Sequence, residues 1–264
     1  MAQPAAIAVQ GLGKVFRRGD GLSVAALAGL DLVVEERAFV TLLGPTGCGK
    51  TTLLRILLGL EAPSGGSVRV AGRVPVEGQV PAGAVFQQHS LLPWRRALAN
   101  VMFPLEMRGV RRRAARRQAL DLLRLVGLEE AAGAFPHELS GGMQQRVAIA
   151  RALAHNASIL LLDEPFGALD DRTRRLLQAV LLDIWESRQL TVLFVTHNIE
   201  EALTLGDRIL VLGQGRILED HAVPLARPRD PLSDAFAAEL LALRRVFAAA
   251  AEGAARGRDR SIEA

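Results

Sequence analysis

Residues 44–51, with the sequence GPTGCGKT, carry the clearest chemical pattern of the chain. They match the phosphate-binding motif in which glycine, four variable residues, glycine and lysine precede serine or threonine. The glycines let several backbone N–H groups face one anion, and the helix that begins near Lys50 adds its positive end. We predict that Lys50 contacts the β- and γ-phosphates of a nucleotide and that Thr51 binds Mg²⁺. The predicted nucleotide-binding residues are Gly44, Pro45, Thr46, Gly47, Cys48, Gly49, Lys50, Thr51 and Thr52.

Two adjacent carboxylates, Asp163 and Glu164, directly follow the apolar run 159–162. Asp163 ends the run and is placed to hold Mg²⁺ through water. Glu164 is the best candidate to orient and deprotonate an attacking water molecule. The alternative is that both acids only cap the next turn. The lysine loop in the same chain favours the catalytic interpretation.

Each of these reactive segments follows a short apolar run that predicts a buried strand. The runs are 39–43, 159–162 and 191–195, and the third is followed by Thr196 and His197. Continuous apolar runs of this length are typical of strands covered on both faces in a parallel sheet. Ligands of such α/β sheets bind beyond the carboxyl ends of the strands. The sequence therefore predicts that the lysine loop, the carboxylates and His197 serve one site.

The composition predicts one globular domain with a small subdomain or tail. The chain has 264 residues, of which 50% are hydrophobic, and a net charge of +4. Its apolar runs are shorter than the ~20 residues that span a bilayer, and the N-terminus lacks the pattern of a signal peptide. Cys48 is the single cysteine, which excludes a disulfide within the chain. We therefore expect a reducing, cytoplasmic location.

The densest basic stretch contains five arginines within residues 111–117. It continues into Leu120, Leu123 and Val126 at helical spacing, which predicts the solvated start of an amphipathic helix. Nucleic acid and lipid headgroups are the alternative ligands. No aromatic residue interleaves with these arginines to stack on bases, so we predict no nucleic-acid partner.

Residues 139–146, LSGGMQQR, resemble the signature sequence of ABC ATPases. Further elements of that family follow in order along almost the whole chain. Gln87 resembles the Q-loop glutamine, which implies a role in catalysis and Mg²⁺ binding. Asp170 resembles the D-loop aspartate, and His197 resembles the switch histidine, which implies a catalytic role. Phe16 occupies the place of the aromatic residue that stacks on adenine.

Three of these residues have a structural alternative when they are considered alone. Gln87 then fits an ordinary loop amide, Phe16 a core aromatic and His197 a buried histidine. Their order in the series favours the functional roles. The chain contains no tyrosine, the residue that is common in the family at the place of Phe16.

Ser140, Gly141 and Gly142 precede the helical run 144–153 and form a second candidate anion site at a helix N-terminus. The resemblance implies a head-to-tail homodimer. In that dimer, Ser140, Gly141, Gly142 and Asp170 of one copy would act in trans on the ATP that is held by Lys50 of the other. The symmetry of such a dimer gives two equivalent composite sites.

The resemblance implies an α/β fold of the P-loop NTPase (ABC ATPase) type, with a parallel central sheet, an N-terminal antiparallel β subdomain and a helical signature subdomain. We assign residues 1–222 to the ATPase domain, including the helical subdomain 88–156, and residues 223–264 to a C-terminal helical tail. The tail helix is predicted after Pro231 with Ser233 as its cap. Its apolar stripe, which contains Phe236 and Leu243, is expected to pack on the core rather than bind a partner. The last dozen residues are predicted to be disordered.

The layout favours a stand-alone energy subunit of a membrane importer. Residues 50–140 contain no long coiled-coil insertion, the chain carries one cassette, and it contains no membrane-spanning stretch. Residues 91–95, 100–106 and 165–170, with the short tail, resemble the nitrate/sulfonate/taurine importer group. This implies permease partners, a separate solute-binding protein and a peripheral location on the cytoplasmic face of the inner membrane.

The identity of the solute is not encoded in this subunit; the resemblance favours a sulfonate, nitrate or taurine. The alternative function is a stand-alone ABC ATPase with a non-transport target, or the ATPase subunit of an exporter. We predict that a permease loop docks in a groove lined by Leu92, Trp94 and Met102. The alternative is that Trp94 fills the core of the helical subdomain.

Overall fold

The computed structural model describes residues 5–17, 19, 22–86, 91–167 and 169–259, with side chains to residue 252. Its strands are β1 (Ala5–Arg17), β2 (Ser23–Glu35), β3 (Phe39–Leu43), β4 (Gly65–Val70), β5 (Ala82–Val85), β6 (Ile159–Asp163), β7 (Thr191–Thr196), β8 (Arg208–Gly213) and β9 (Arg216–Ala222). Its α-helices are α1 (Lys50–Leu57), α2 (Ala97–Met107), α3 (Arg112–Leu125), α4 (Gly141–Ala154), α5 (Asp171–Arg188), α6 (Ile199–Leu205) and α7 (Asp234–Asp259). Short 3-10 turns occupy Glu130–Gly133 and Pro136–Glu138.

The chain divides into two compact units. The first unit comprises Met1–Pro81 and Thr191–Ala264, and the second comprises Ala82–Leu190. In the first unit, β1 pairs with β2 and β4 to form an antiparallel sheet. The same unit contains the parallel strands β7, β3 and β8, and β9 pairs antiparallel with β8.

The parallel strands of the first unit are buried on both faces, as their apolar sequences predict. Every residue of β3 and of β7 is buried. Leu43 at the end of β3 pairs with Thr196 at the end of β7 and with Val211 in β8. The segments that follow β3 and β7 therefore leave the sheet at the same edge.

The second unit combines the parallel pair β5 and β6 with the helices α2 to α5. Every residue of β6 is buried, and Val85 pairs with Leu162. In α3, Ala115, Ala119 and Leu123 are fully buried while the arginines of residues 111–117 are exposed. Among the described residues, none of these five arginines forms an ion pair. The basic stretch is thus the solvated start of an amphipathic helix, as predicted.

The C-terminal helix α7 packs on the core of the first unit. The Ser233 hydroxyl accepts a 3.2 Å hydrogen bond from the amide of Phe236. Phe236 and Leu243 pack with Ala202 and Leu203 in one buried apolar cluster. α7 extends to Asp259, into the segment for which composition predicts disorder. Within the described part of the chain, no helix is both long and apolar enough to cross a bilayer.

Candidate functional site

The loop after β3 has a backbone that requires glycine at specific positions. Gly47 and Gly49 adopt left-handed φ angles of 83° and 110°. A Cβ at Gly49 would lie 2.4 Å from the carbonyl oxygen of Ala26, and a Cβ at Gly44 would lie 2.5 Å from that of Leu212. The loop therefore curls against neighbouring backbone in a way that a side chain at these positions would prevent.

Lys50 folds back over this loop. Its ammonium nitrogen donates hydrogen bonds to the carbonyl oxygens of Gly44 at 2.8 Å and Pro45 at 2.9 Å, and it lies 4.0 Å from the Cys48 sulfur. Only 5% of the Lys50 residue surface is exposed. The first turn of α1 contains no acidic residue. A buried cation and the start of a helix thus face one curled loop, which is an arrangement that binds phosphate.

The remaining loop residues differ in their exposure. Thr46, Gly47 and Thr51 are exposed, Pro45 and Thr52 are half-buried, and Cys48 is buried. The side-chain oxygen of Thr51 stands in the first turn of α1, next to Lys50. A hydroxyl oxygen in this position is a suitable ligand for Mg²⁺, which prefers oxygen ligands.

The backbone of the phosphate loop is joined to the end of β7. The amide of Gly44 donates a 3.3 Å hydrogen bond to the carbonyl of Thr196, the residue before His197. His197 is exposed, which excludes the alternative that it is a buried core histidine. The structure thus brings His197 and the lysine loop to one edge of the sheet, as the strand ends predict.

Side chains on both sides of His197 fix its backbone. The Thr196 hydroxyl donates a 2.7 Å hydrogen bond to Glu201, and Asn198 caps α6 by accepting from the amides of Glu200 and Glu201. Glu201 and Asn198 are not among the site residues predicted from the sequence. The signal was available, since an asparagine followed three residues later by glutamate is typical of a helix N-terminus.

Phe16 lies on β1 with 38% of its surface exposed, so it is not a core aromatic. The Lys14 ammonium lies 4.9 Å from the ring centroid. Lys14 is itself held by Glu61 at 2.6 Å and by the carbonyl of Ala62 at 2.8 Å. An exposed aromatic ring fixed in this way can stack on a planar base.

In the second unit, the carboxylate pair follows β6. Asp163 is 2% exposed and ends the strand, and Glu164 is half-buried. Glu164 adopts a left-handed φ of 48°, which is uncommon for a residue other than glycine. Strained backbone of this kind concentrates at functional sites. Gln87 and Ala168 lie outside the described residues.

The signature segment begins α4 with an exposed end. The Ser140 hydroxyl accepts a 3.3 Å hydrogen bond from the Met143 amide, and both Ser140 and Gly141 are exposed while Gly142 is half-buried. The Gln144 side chain donates to the carbonyl of Pro136, which fixes this turn. A rigid helix N-terminus with glycine backbone is suited to contact an anion.

Asp170 caps the N-terminus of α5, as Ser140 caps that of α4. Its carboxylate accepts a 3.0 Å hydrogen bond from the Thr173 amide. This bond, with a further one from the Thr173 side chain, lowers the pKa of Asp170 below its usual value. The aspartate therefore stays charged at the helix N-terminus at neutral pH.

A groove of about 190 Å³ lies in the second unit and is lined by side chains that include Leu92, Phe103, Pro104, Arg151 and His155. The loop before α2 is fixed beside it. The Asn100 side chain accepts from the Leu92 amide at 2.8 Å and donates to the carbonyls of Leu92 and Arg95.

The prediction that Met102 lines this groove is wrong, because Met102 is 7% exposed and does not belong to its lining. Consecutive helical residues differ in direction by roughly 100°, and it is Phe103 that lines the groove. Trp94 does not belong to the lining of this groove either, so of the three predicted residues only Leu92 lines it. Trp94 is 71% exposed, which excludes the alternative that it fills the core of the subdomain.

A family model described as ABC transporter matches residues 27–167 of this sequence. The chain belongs to the ABC transporter ATP-binding family. A chain of this family is an ATPase.

Individual relatives of this ABC chain cover most of its length. An uncharacterized ABC transporter ATP-binding protein of Methanocaldococcus jannaschii is 48% identical over 230 residues, 86% of each chain. The taurine import ATP-binding protein TauB of Rhizobium johnstonii is 50% identical over 200 residues, 75% of this chain and 76% of that protein. The aliphatic sulfonates import ATP-binding protein SsuB 1 of Burkholderia lata is 46% identical over 223 residues, 84% of this chain and 67% of that protein.

Solved structures show the same fold. A dimeric structure of the ATP-binding cassette MJ0796, in a post-hydrolysis state with ADP and Pi bound, matches with a TM-score of 0.77 at 34% identity. The match covers 83% of this ABC chain and 100% of that one. The predicted α/β fold of the ABC ATPase type is therefore confirmed.

Proposed function

We propose that this ABC ATPase is the energy-coupling subunit of an importer for a small sulfonated or related anionic solute, and that it works as a head-to-tail homodimer. The observation that carries the proposal is the exposed, capped N-terminus of α4 at Ser140, which supports a second anion-binding element besides the proposed one at the lysine loop. The names of the taurine and sulfonate relatives support the importer class. The dimeric MJ0796 structure supports the assembly.

Within this proposal, the loop residues 44–52 bind the phosphates of ATP and Phe16 stacks on the adenine ring. Thr51 and Asp163, with Gln87, hold Mg²⁺. Their hydroxyl, carboxylate and amide oxygens are the ligands that this ion prefers. When bound, Mg²⁺ neutralises charge on the β- and γ-phosphates.

The proposed hydrolysis uses Glu164 as the base that orients and deprotonates the attacking water. His197, exposed beside the phosphate loop, contacts the γ-phosphate. In the proposed dimer, Ser140, Gly141, Gly142 and Asp170 of the partner copy act on the same ATP. The positive end of α4 then stabilises charge on the phosphate that is cleaved from ATP.

The proposed membrane partner is a permease whose cytoplasmic loop docks in the groove beside Leu92, Phe103 and Pro104. The groove is apolar at these residues and basic at Arg151, and the exposed Trp94 lies on the adjoining loop. Exposed aromatic residues are enriched at protein interfaces. The subunit would then sit on the cytoplasmic face of the inner membrane, with a separate solute-binding protein outside.

The function can be tested by uptake of labelled taurine, an aliphatic sulfonate and nitrate into cells that lack this chain. We expect the wild-type chain to restore uptake of a sulfonated solute and the Glu164→Gln chain to fail. Uptake of all three solutes that is equal with and without the chain would refute the importer. In that case, an exporter or a non-transport target becomes the better interpretation, while ATP hydrolysis by the purified chain still stands.

A further inference from the structure

The short helix α6 begins two residues after His197 and is anchored at its N-terminus by the contacts of Thr196 and Asn198 described above. It contains seven residues, so it is fewer than two full turns long. Two successive backbone hydrogen bonds link its ends, from the Ala202 amide to the Asn198 carbonyl at 3.1 Å and from the Gly206 amide to the Ala202 carbonyl at 2.9 Å. The position of its C-terminal end therefore influences the backbone that carries His197.

Arg229, from the C-terminal segment, caps that other end. Its Nη1 donates to the carbonyl oxygens of Leu203 at 2.6 Å and Gly206 at 2.7 Å. Its Nε donates to the carbonyl of Leu225 at 3.1 Å. The Arg229 side chain is 1% exposed. The last carbonyls of a helix lack partners within the helix, and the planar fork of a guanidinium is suited to bind several of them together.

A second arginine, Arg227, also binds the C-terminal end of α6. Arg227 donates to the carbonyl of Leu205 and pairs with Asp207, and Asp207 also lies 3.3 Å from Arg229. Burial and the nearby Arg227 charge lower the pKa of Arg229 to about 10, so its guanidinium remains charged at neutral pH. Two cations and one carboxylate thus meet at the negative end of α6, where positive charge is favourable.

The side of α6 is covered by α7. Phe236 and Leu243 of α7 share a buried cluster with Ala202 and Leu203 of α6. The C-terminal segment therefore holds α6 at its end, through Arg227 and Arg229, and along its face, through α7. The phosphate loop and β7 hold the opposite end through Thr196.

We propose that the C-terminal segment, residues 223–250, is a clamp on α6 that positions His197, with Arg229 as the principal positioning residue. The inference rests on the proposed role of His197 in ATP hydrolysis. A misplacement of about 1 Å at a reacting group can lower a rate on the order of 100-fold, so a distant anchor can matter for turnover.

The first test is the Arg229→Met variant, which keeps an apolar stem and removes the guanidinium. Asp207, whose side chain is 42% exposed, keeps its ion pair with Arg227 in this variant. We expect kcat for ATP hydrolysis to fall by about five- to tenfold, with KM for ATP and equilibrium ATP binding within about twofold of wild type. The matched control is Arg245→Met, because Arg245 is an exposed arginine of the same segment.

A double-mutant cycle separates positioning from general destabilisation. In the His197→Ala background, Arg229→Met should cause no further loss of rate in single-turnover assays, because the side chain that it positions is gone. A purely structural role predicts the same fold-loss in both backgrounds. Hydrogen exchange of the amides of residues 197–206 should also be faster in Arg229→Met and unchanged in α1.

An unchanged kcat in Arg229→Met, or an equal fold-loss in both backgrounds, would overturn the clamp. If Arg229→Met lacks a cooperative thermal transition, Arg229→Lys serves in the same cycle. It keeps the charge beside Asp207 but not the fork, and we expect a loss of about two- to threefold. Full activity in His197→Ala would instead refute the role of His197 in the proposed function, and the clamp with it.

Discussion

The amide of Gly44 donates a 3.3 Å hydrogen bond to the carbonyl of Thr196, and this bond joins the first residue of the phosphate loop to the residue before His197. It continues the pairing of β3 with β7, in which Leu43 lies opposite Thr196. Because both strands are buried, the relative position of the loop and the histidine is set by the core. Changes that disturb the loop backbone should therefore affect ATP binding directly.

Gly49→Ala tests the curled loop. The added Cβ would lie 2.4 Å from the carbonyl of Ala26, at a φ of 110°. We expect affinity for a fluorescent ATP analogue to fall by at least about tenfold and the protein to lose more than about 1 kcal/mol of stability, since alanine is strained at positive φ.

The control for this variant is Gly72→Ala in the same unit. Gly72 has a φ of 74° with no atom within 4 Å of an added Cβ, so it reports the backbone strain alone. Thermal unfolding and ATP titration measure both proteins. Normal ATP binding by Gly49→Ala would mean that the loop does not form the phosphate site.

Glu164→Gln tests the proposed base. Glutamine preserves the shape of the side chain but cannot accept a proton, so we expect ATP turnover to fall by about 10²- to 10⁴-fold while ATP binding remains. The ATP-bound dimer should then accumulate, as measured by size-exclusion chromatography. Glu186→Gln, at an exposed position of α5, is the control and should hydrolyse ATP normally. Near-normal turnover by Glu164→Gln contradicts the assignment.

The fully buried strands β3, β6 and β7 were predictable from the sequence because their apolar runs are continuous. β3 matches its predicted residues, and β6 and β7 each extend one residue further, to Asp163 and Thr196. α4 starts at Gly141 rather than at Gln144 because Ser140 caps it, which offsets the poor helix propensity of the two glycines.

Other features depend on tertiary contacts that leave no local pattern. Arg229 reaches carbonyls 23 and 26 residues earlier in the chain, so spacing alone does not reveal that it caps α6. In α2, Met102 and Phe103 are both apolar, and the sequence does not determine which of them lines the groove. Packing decides this, and it places Met102 inside.

Mixing two inactive chains tests whether sites are shared between copies. Lys50→Ala removes the phosphate contact, and Ser140→Arg places a bulky cation at the exposed start of α4. A heterodimer of the two would contain one doubly altered site and one unaltered site. We expect ATPase activity on mixing to exceed the sum of the separate proteins. If heterodimers form, as shown by tag pull-down, and activity stays at that sum, the site is not shared.

Stability should depend on pH through His155. His155 is exposed as a residue, but partial desolvation of its ring, and secondarily the Arg108 charge, lowers the pKa of His155 in the folded protein. At pH values between the folded and the unfolded pKa of His155, the unfolded chain binds more protons than the folded one. The stability that neutral His155 contributes is therefore fully present above about pH 6.5 and is lost as the pH falls below it. We expect the urea concentration at the unfolding midpoint to be lower at about pH 5.5 than at about pH 7.5. This decrease should be smaller in His155→Gln. Equal falls in both proteins would contradict this.

Trp94→Ala tests the proposed docking of the permease. Trp94 is 71% exposed, and Asn100 fixes its loop beside the groove. Removing the indole should therefore leave the thermal midpoint and the ATPase activity of the isolated subunit largely unchanged. Solute uptake by the assembled transporter should fall by about tenfold or more, because interface tryptophans commonly contribute about 2 kcal/mol or more to binding.

The matched control is Met107→Ala. Met107 is another apolar residue with high exposure, 73%, and it does not line the groove. Single cysteines at Leu92 and Phe103, in a Cys48→Ser background, should crosslink to the permease with an efficiency that depends on nucleotide. Docking elsewhere is indicated if Met107→Ala impairs uptake as much as Trp94→Ala does. A lower thermal midpoint together with lost ATPase activity in Trp94→Ala would instead assign this side chain to folding, since the interface role predicts that both are retained.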